Sequence, residues 1–184
     1  MVFSIAMRRK PVERNGERYV SDVERSRERT MNRAVKLLAA KPRSVGELRE
    51  RLLEKLWTNE AIVEVVIEKL KEYNYLDDEQ FAMDTASSKL RQKPQGKRRL
   101  QQTMSRKKLD RDVVDAAIAT AFEKYPEEEL IDSAIGKRLR LRGKPKTREE
   151  TKKFFDHLLR LGFDHNLIRN KLTQIAAIPD PDGP

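Results

Sequence analysis

The stretch Ser44–Leu70, SVGELRERLLEKLWTNEAIVEVVIEKL, carries the strongest helical signals of this 184-residue chain and decides its fold class. Ser44 with Glu47 three residues later has the spacing of a capping box, which predicts a helix start. Thr58 is predicted to cap a second helix, because helical periodicity resumes after it. Leucines at helical spacing form the predicted apolar stripe of the first helix: Leu48, Leu52, Leu53 and Leu56. The predicted stripe of the second helix comprises Ile62, Val65, Val66, Leu70 and Tyr73.

Another helix is predicted before this stretch, from about Asp22 to Lys41. Ser21 and Glu24 have capping-box spacing at its start, and Pro42 closes the helical pattern. Strand-like alternation is absent, and glycine and proline fall between the periodic segments. The sequence therefore predicts an all-α unit of three helices.

This three-helix pattern occurs three times along the chain. Lys-Pro pairs that close a first helix are 52 and 51 residues apart and begin at Lys41, Lys93 and Lys144. Predicted caps of third helices are 52 and 54 residues apart, at Thr58, Asp110 and Asp164. Counted from those caps, five sets of apolar positions agree: Leu48, Leu100 and Phe154; Leu52, Met104 and Leu158; Trp57, Leu109 and Phe163; Ile62, Val114 and Ile168; Val66, Ile118 and Leu172. Matched core positions at a fixed period predict tandem modules. They are favoured over the alternative, in which the helices are independent and their spacing coincides by chance.

The predicted architecture is an elongated monomer of three tandem, helix-turn-helix-like modules. The modules are predicted over residues 21–76, 77–125 and 126–178. An irregular N-terminal arm is predicted over residues 1–20, and a C-terminal tail over residues 179–184.

Composition restricts the function classes. The net charge of +10, from 40 basic and 30 acidic side chains, favours a polyanionic partner. The absence of cysteine excludes disulfides, thiolate metal sites and cysteine nucleophiles, and it fits a reducing cytoplasm. The longest apolar runs are too short to span a membrane, and the start MVFSIAMRRK has the wrong charge order for a secretory signal. We therefore expect a cytoplasmic protein.

The block YNYLDDEQFA, Tyr73–Ala82, contains adjacent carboxylates that could be a metal site, a catalytic pair or a helix cap. Asp77 is well placed to accept a backbone N–H of the next helix, with Asp78 in its first turn. Asn74 stands where a helix end often needs a left-handed residue. No further ligand residues cluster nearby, so the cap is favoured over a metal site, and neither a metal nor a cofactor is predicted.

Two acid-free basic runs mark the candidate binding surface. The first has nine cations: Lys89, Arg91, Lys93, Lys97, Arg98, Arg99, Arg106, Lys107 and Lys108. The second has seven: Lys137, Arg138, Arg140, Arg142, Lys144, Lys146 and Arg148. They occupy equivalent junctions of the second and third modules, so a binding role and a merely solvated face are both open from the sequence. Neither contains an aromatic residue, so contacts to backbone phosphates or an acidic protein are favoured over base stacking. Trp57 repeats as Leu109 and Phe163, which predicts a core residue.

Three segments resemble the RecX family of regulatory proteins: RAVKLLAAKPRSVGELRERLLEKL (33–56), EAIVEVVIEKLKEYNYLDDEQFA (60–82) and KRRLQQTMSRKKLDRDVVDAA (97–117). The resemblance covers about Arg33 to Ala177. Second helices of the family usually end in Lys-Gly. Here Leu56 and Lys108 replace that glycine, and only Gly162 keeps it. A left-handed Leu or Lys costs about 1 kcal/mol, so local differences are expected at those helix ends.

The resemblance implies a specific function. RecX-like proteins form an elongated, curved rod and bind the RecA recombinase filament on single-stranded DNA, where they lie in its helical groove. They lower its ATPase and strand-exchange activities, either by capping or by destabilising the filament, and so modulate recombination, DNA repair and the SOS response. They have no catalytic activity of their own and need no cofactor.

Two other classes remain open from the residues. A helix-turn-helix-like transcriptional regulator would need Arg, Asn or Gln along one recognition helix. The third helix of the second module, RDVVDAAIATAFEK, is acidic and alanine-rich, which argues against groove reading there. A metal-dependent nuclease would need Asp77 and Asp78 as ligands.

Overall fold

The computed structural model describes residues 13–14 and 17–177, and within them the chain is almost entirely helical. The exception is a two-residue antiparallel ladder of β1 (Glu13–Arg14) and β2 (Glu17–Arg18). The ladder lies in the segment predicted as an irregular arm. The rest of that arm and the predicted tail lie outside the described residues.

The contacts divide the chain into two compact units, between Asp77 and Asp78. The first unit holds α1 (Val23–Ala40), α2 (Val45–Leu53) and α3 (Glu60–Glu72). The second unit holds α4 (Asp78–Gln92), α5 (Lys97–Met104), a 3-10 turn (Ser105–Lys107), α6 (Arg111–Lys124), α7 (Glu127–Arg142), α8 (Arg148–Arg160) and α9 (His165–Ala177). None of the helices in the described ranges is long and apolar enough to cross a membrane.

The core of the first unit follows the predicted stripes in part. Its buried residues come from all three helices and from the segment that follows α3: Ala34, Val45, Leu48, Leu52, Val63, Val66, Ile67, Leu70 and Leu76. Three predicted stripe residues are instead largely exposed: Leu56, Val65 and Tyr73. Leu56 lies beyond the end of α2. Val65 lies off the face of α3 that is centred on Val66 and Leu70, whereas Tyr73 follows Glu72, the last residue of the helix.

Two predicted helix caps of the first unit are displaced by one residue. Asp22, not Ser21, caps α1 and accepts the N–H of Arg25 at 3.0 Å. Asn59, not Thr58, caps α3 and accepts the N–H of Ile62 at 3.0 Å. The Thr58 hydroxyl is buried and lies 3.0 Å from the Thr30 hydroxyl, so it joins α1 to the start of α3. A capping pattern identifies the turn, but a neighbouring polar residue can serve as the cap.

The six helices of the second unit share one hydrophobic core. Its buried members extend from Ala82 to Ile168 and include Leu100, Met104, Phe154 and Leu158. The matched positions Leu48, Leu100 and Phe154 are 0%, 0% and 2% exposed, as the repeat predicts. Leu172 is only partly buried but packs against the same core.

A close backbone contact joins α5 to the end of α8. The Gly96 N–H donates to the Leu161 carbonyl oxygen at 2.9 Å. A Cβ on Gly96 would lie 2.3 Å from the carbonyl oxygen of Gly162, which no real contact allows. Gly162 itself has φ 87°, where a side chain would be strained. Both glycines are therefore required for this junction.

Within residues 13–14 and 17–177, two non-glycine residues adopt the left-handed conformation, both at helix ends. Asn74 has φ 57°, which confirms the role predicted for it after α3. Lys108 has φ 54°, so the chain keeps the left-handed geometry where a local difference was expected. The 3-10 turn leads directly into Lys108, and the next residue, Leu109, packs against the core of the second unit.

Candidate polyanion-binding site

The adjacent carboxylates Asp77 and Asp78 lie where α4 begins. Asp77 is exposed and immediately precedes the first helical residue, Asp78, which is the position of an N-cap. Among residues 13–14 and 17–177 there is no group of three or more His, Cys, Asp or Glu that could hold a metal ion. Capping by Asp77 stays a prediction.

The first basic run spans the end of α4, the junction that follows it, α5 and the 3-10 turn. Seven of its nine side chains are exposed: Arg91, Lys93, Lys97, Arg98, Arg99, Arg106 and Lys108. Lys89 and Lys107 are half-buried, and the Lys107 ammonium lies 5.8 Å from the Phe81 ring centroid. Most of the run is therefore available to a partner.

The second basic run covers the last turns of α7 and continues to the first residue of α8. Its exposed members are Lys137, Arg140, Arg142, Lys146 and Arg148, whereas Arg138 and Lys144 are half-buried. The Arg138 guanidinium lies 5.0 Å from the ring centroid of Phe154, a buried residue of α8. This stacking fixes the orientation of the guanidinium on the surface of α8.

Cations of both runs converge on His157, a half-buried residue of α8. Burial lowers the pKa of His157 first, and the positive charges of Arg138, Arg160, Lys93 and Arg142 lower it further. Burial, Arg142 and Arg160 likewise lower the pKa of Arg138. We call this group, His157, Lys93, Arg138, Arg142 and Arg160, the His157 cluster. Lys93 belongs to the first run and Arg138 and Arg142 belong to the second, so cations of both runs act on the same imidazole.

Sequence reasoning missed His157 and Arg160. They lie in α8 among acidic residues, outside both acid-free runs, and only packing brings them to Lys93 and Arg138. Their spacing of i and i+3 on one helix was the available signal, since such residues share a face.

One predicted site residue also has a structural contact. The Arg99 guanidinium donates to the Arg160 carbonyl oxygen at 2.8 Å, across the α5–α8 junction. The neighbouring Lys97 N–H donates to the Glu127 carboxylate at 3.1 Å, and burial raises the pKa of that carboxyl group. Arg98 is exposed and has no side-chain partner among the described residues, so it is the better probe of binding.

The prediction that Trp57 is a core residue is wrong. Trp57 is half-exposed and lines a cavity of about 360 Å³ beside the N-terminal turns of α1. The Arg29 guanidinium lies 4.4 Å from its ring centroid. The equivalent Phe163 is fully buried, and Leu109 is partly buried. The repeat therefore conserves an apolar residue here but not its environment.

Comparison with known proteins decides the family. A sequence model of the first three-helix domain of RecX matches residues 31–77, and one of the second three-helix domain matches residues 77–118. The regulatory protein RecX of Chlorobium limicola is 33% identical over 143 residues, which cover 77% of this chain and 86% of that relative. The chain belongs to the RecX family. The RecX of Prosthecochloris aestuarii is 31% identical over 80% of this chain and 93% of its own length.

Solved structures agree on the fold. The crystal structure of RecX from Lactobacillus salivarius superposes with a TM-score of 0.73 over 84% of this chain and 99% of that chain, at 18% identity. A second crystal structure of a regulatory protein RecX gives a TM-score of 0.67 over 83% of this chain. The resemblance found in the sequence, the all-helical fold and the regulatory class of RecX are thereby confirmed. The first basic run lies within the matched RecX domains, and the second lies beyond residue 118.

Proposed function

We propose that this RecX-family protein binds the RecA nucleoprotein filament and inhibits its ATPase and strand-exchange activities. Membership of a family whose relatives are named regulatory proteins supports this role. The partner is the recombinase filament on single-stranded DNA, which is a polyanion and suits a chain of net charge +10. In this proposal the protein is a cytoplasmic monomer with no catalytic activity and no cofactor.

The observation that carries the proposal is the exposure of twelve of the sixteen cations in the two basic runs, all of which lie in the second unit. Exposed cations can contact the phosphates of a nucleic acid, and cations of both runs act on His157. Three members of the His157 cluster are arginines, and their planar guanidinium groups match phosphate geometry better than ammonium groups do.

The direct test is the ATPase of the cognate recombinase on single-stranded DNA, titrated with this protein. We expect the ATPase rate to fall with added protein, and to fall much less with Arg138→Gln/Arg142→Gln. Lys36→Gln/Lys69→Gln is the matched control, because both are exposed lysines of the first unit without a side-chain partner in the described residues. An unchanged ATPase rate at saturating wild-type protein would contradict the proposal.

A further inference from the structure

The exposed face of α9 differs in chemistry from that of α3. Counted from the repeat-equivalent residues Thr58 and Asp164, the second, sixth and tenth positions carry carboxylates in α3, at Glu60, Glu64 and Glu68. In α9 the same positions carry amides, at Asn166, Asn170 and Gln174. No Asp or Glu occurs anywhere in α9, whereas α6 has Asp112, Asp115 and Glu123. Only the third module therefore presents a helix without acidic residues at this place, with amides where α3 has carboxylates.

These amides form one continuous surface with Arg169 and Thr173. The five residues recur at i, i+3, i+4, i+7 and i+8, so they share one face, and all five are exposed. The side chains of Asn166, Asn170 and Gln174 form no hydrogen bond with any residue between 18 and 175. The opposite face of α9 packs into the core through Ile168, Leu172 and Ile175.

The helix α9 also occupies the recognition position of a helix-turn-helix. It follows α8 after the four-residue turn Leu161–Asp164, in which Gly162 has φ 87°. The Asp164 carboxylate accepts the N–H groups of Asn166 and Leu167, at 2.8 and 3.1 Å, and holds the start of α9 in place. The pKa of Asp164 is lowered by these backbone hydrogen bonds, so its carboxylate stays ionised as a cap.

We propose that α9 enters the major groove of duplex DNA and reads base edges through Asn166, Asn170, Gln174 and Arg169. Asn and Gln form paired hydrogen bonds with adenine, and Arg does so with guanine. A helix fits the major groove, and the absence of acidic residues from α9 removes repulsion from the phosphates. The equivalent glutamates of α3 would be repelled, so this activity belongs to the third module alone.

Duplex DNA fits this face better than the other polyanionic or protein partners. Stacking of single-stranded bases uses aromatic side chains, and the exposed face of α9 has none of Phe, Tyr or Trp. A protein interface is centred on aromatic and other apolar side chains, which this face also lacks. The proposal does not depend on the recombinase, so it goes beyond the proposed inhibition of RecA.

The test uses the full-length protein without recombinase. A duplex pool with a randomised central segment is enriched by binding, and the enriched sequence is compared with a scrambled duplex by fluorescence anisotropy at several salt concentrations. We expect a preference for the enriched duplex. In the variant Asn166→Ala/Asn170→Ala/Gln174→Ala, the preference should fall by about 5- to 150-fold for each lost side chain that pairs with a base in the wild type. Its salt slope should not change, because no cation is removed.

A matched variant separates base reading from phosphate contact. Lys97→Gln/Arg98→Gln should flatten the salt slope and keep the preference. A second variant, Asn166→Glu/Asn170→Glu/Gln174→Glu, introduces into α9 the glutamates that α3 has at the equivalent positions. It should abolish duplex binding and leave the helical circular dichroism unchanged. The proposal is wrong if the pool yields no enriched sequence, or if the alanine variant keeps the preference. It is equally wrong if that variant loses recombinase inhibition and binds DNA as the wild type does.

Discussion

Arg49 of α2 binds Glu64 of α3 through two parallel hydrogen bonds, Nε to Oε1 at 2.6 Å and Nη2 to Oε2 at 2.8 Å. The hydrogen bond with Arg49 lowers the pKa of Glu64. The pair is nearly half-exposed, at 40% and 45% of the side-chain surface, so solvent screens it. We expect Arg49→Gln to lower the free energy of unfolding at pH 7 by less than about 1 kcal/mol in urea denaturation. Because the folded pKa of Glu64 is depressed, this difference should vanish as the pH falls through it. A persistent difference at acidic pH would mean that Arg49 stabilises by packing.

Gly96→Ala should destabilise the protein. The new Cβ would lie 2.3 Å from the Gly162 carbonyl oxygen, so the α5–α8 junction must shift, at a cost of about 1–3 kcal/mol. Gly136 in α7 is the matched control, because a Cβ there meets nothing within 4 Å. Gly136→Ala should stabilise by about 0.5–1 kcal/mol, since alanine favours the helix interior. Urea denaturation of both variants checks the sign, and equal effects would contradict the close contact.

Asp77→Ala should cost about 1 kcal/mol of stability if Asp77 caps α4, and Asp77→Asn should cost less. Both variants should keep inhibition of the recombinase ATPase. Thermal denaturation and the ATPase titration measure the two properties separately. If Asp77→Asn folds normally but loses inhibition, the carboxylate itself is functional and the cap prediction fails.

DNA binding should strengthen as the pH falls, through His157. Its pKa in the free protein is lowered by burial and four cations, and a bound phosphate would raise it by neutralising them. Binding therefore takes up a proton at pH values between the free and bound pKa of His157. The affinity should rise by at most about tenfold for each pH unit that the pH falls in this range. Anisotropy of a labelled oligothymidylate between acidic and neutral pH measures this slope.

The chain has two histidines, which provides a control for that slope. His157→Gln should flatten it. His165→Gln should not, because His165 contacts Phe155 at 4.9 Å between ring centroids and is not part of the His157 cluster. Equal slopes in the two variants would place the titrating group elsewhere.

Charge removal on α5 should change the salt dependence of binding to single-stranded DNA. Reversing Lys97, Arg98 and Arg99 together would also break the Arg99–Arg160 hydrogen bond, so Lys97→Gln/Arg98→Gln is the cleaner variant. Removing two phosphate-binding cations should flatten the slope of log K against log salt by about 1.4. Lys36→Gln/Lys69→Gln should leave it nearly unchanged. Equal flattening by both would mean that net charge alone governs binding.

The repeat made the core predictable, because each module repeats the type of residue at buried places such as Leu52, Met104 and Leu158. It could not predict the residue at which a helix ends. Leu56 was therefore assigned to the stripe of α2, although that helix ends at Leu53. Nor could it predict the environment of Trp57, which depends on contacts with α1. The elongated shape and the three module boundaries stay predictions.

The candidate site was predictable only as two runs. Lys93 and Arg138 are far apart in sequence, and their common influence on His157 arises from the packing of α4, α7 and α8. Pattern analysis finds charge density along the chain, whereas electrostatic coupling depends on distances in space. For that reason Arg160 was absent from the predicted set.

Three repeats are predicted from the sequence, whereas the contacts give two compact units, because α4–α9 share one core. A chain ending at Tyr125 would lack the Leu161 carbonyl oxygen that pairs with Gly96, and it would uncover core residues of α4–α6. Tandem arrays change length in evolution by gaining or losing whole repeats, which requires each repeat to part cleanly from its neighbour. The second and third repeats of this chain cannot part in that way, so we expect them to be inherited together.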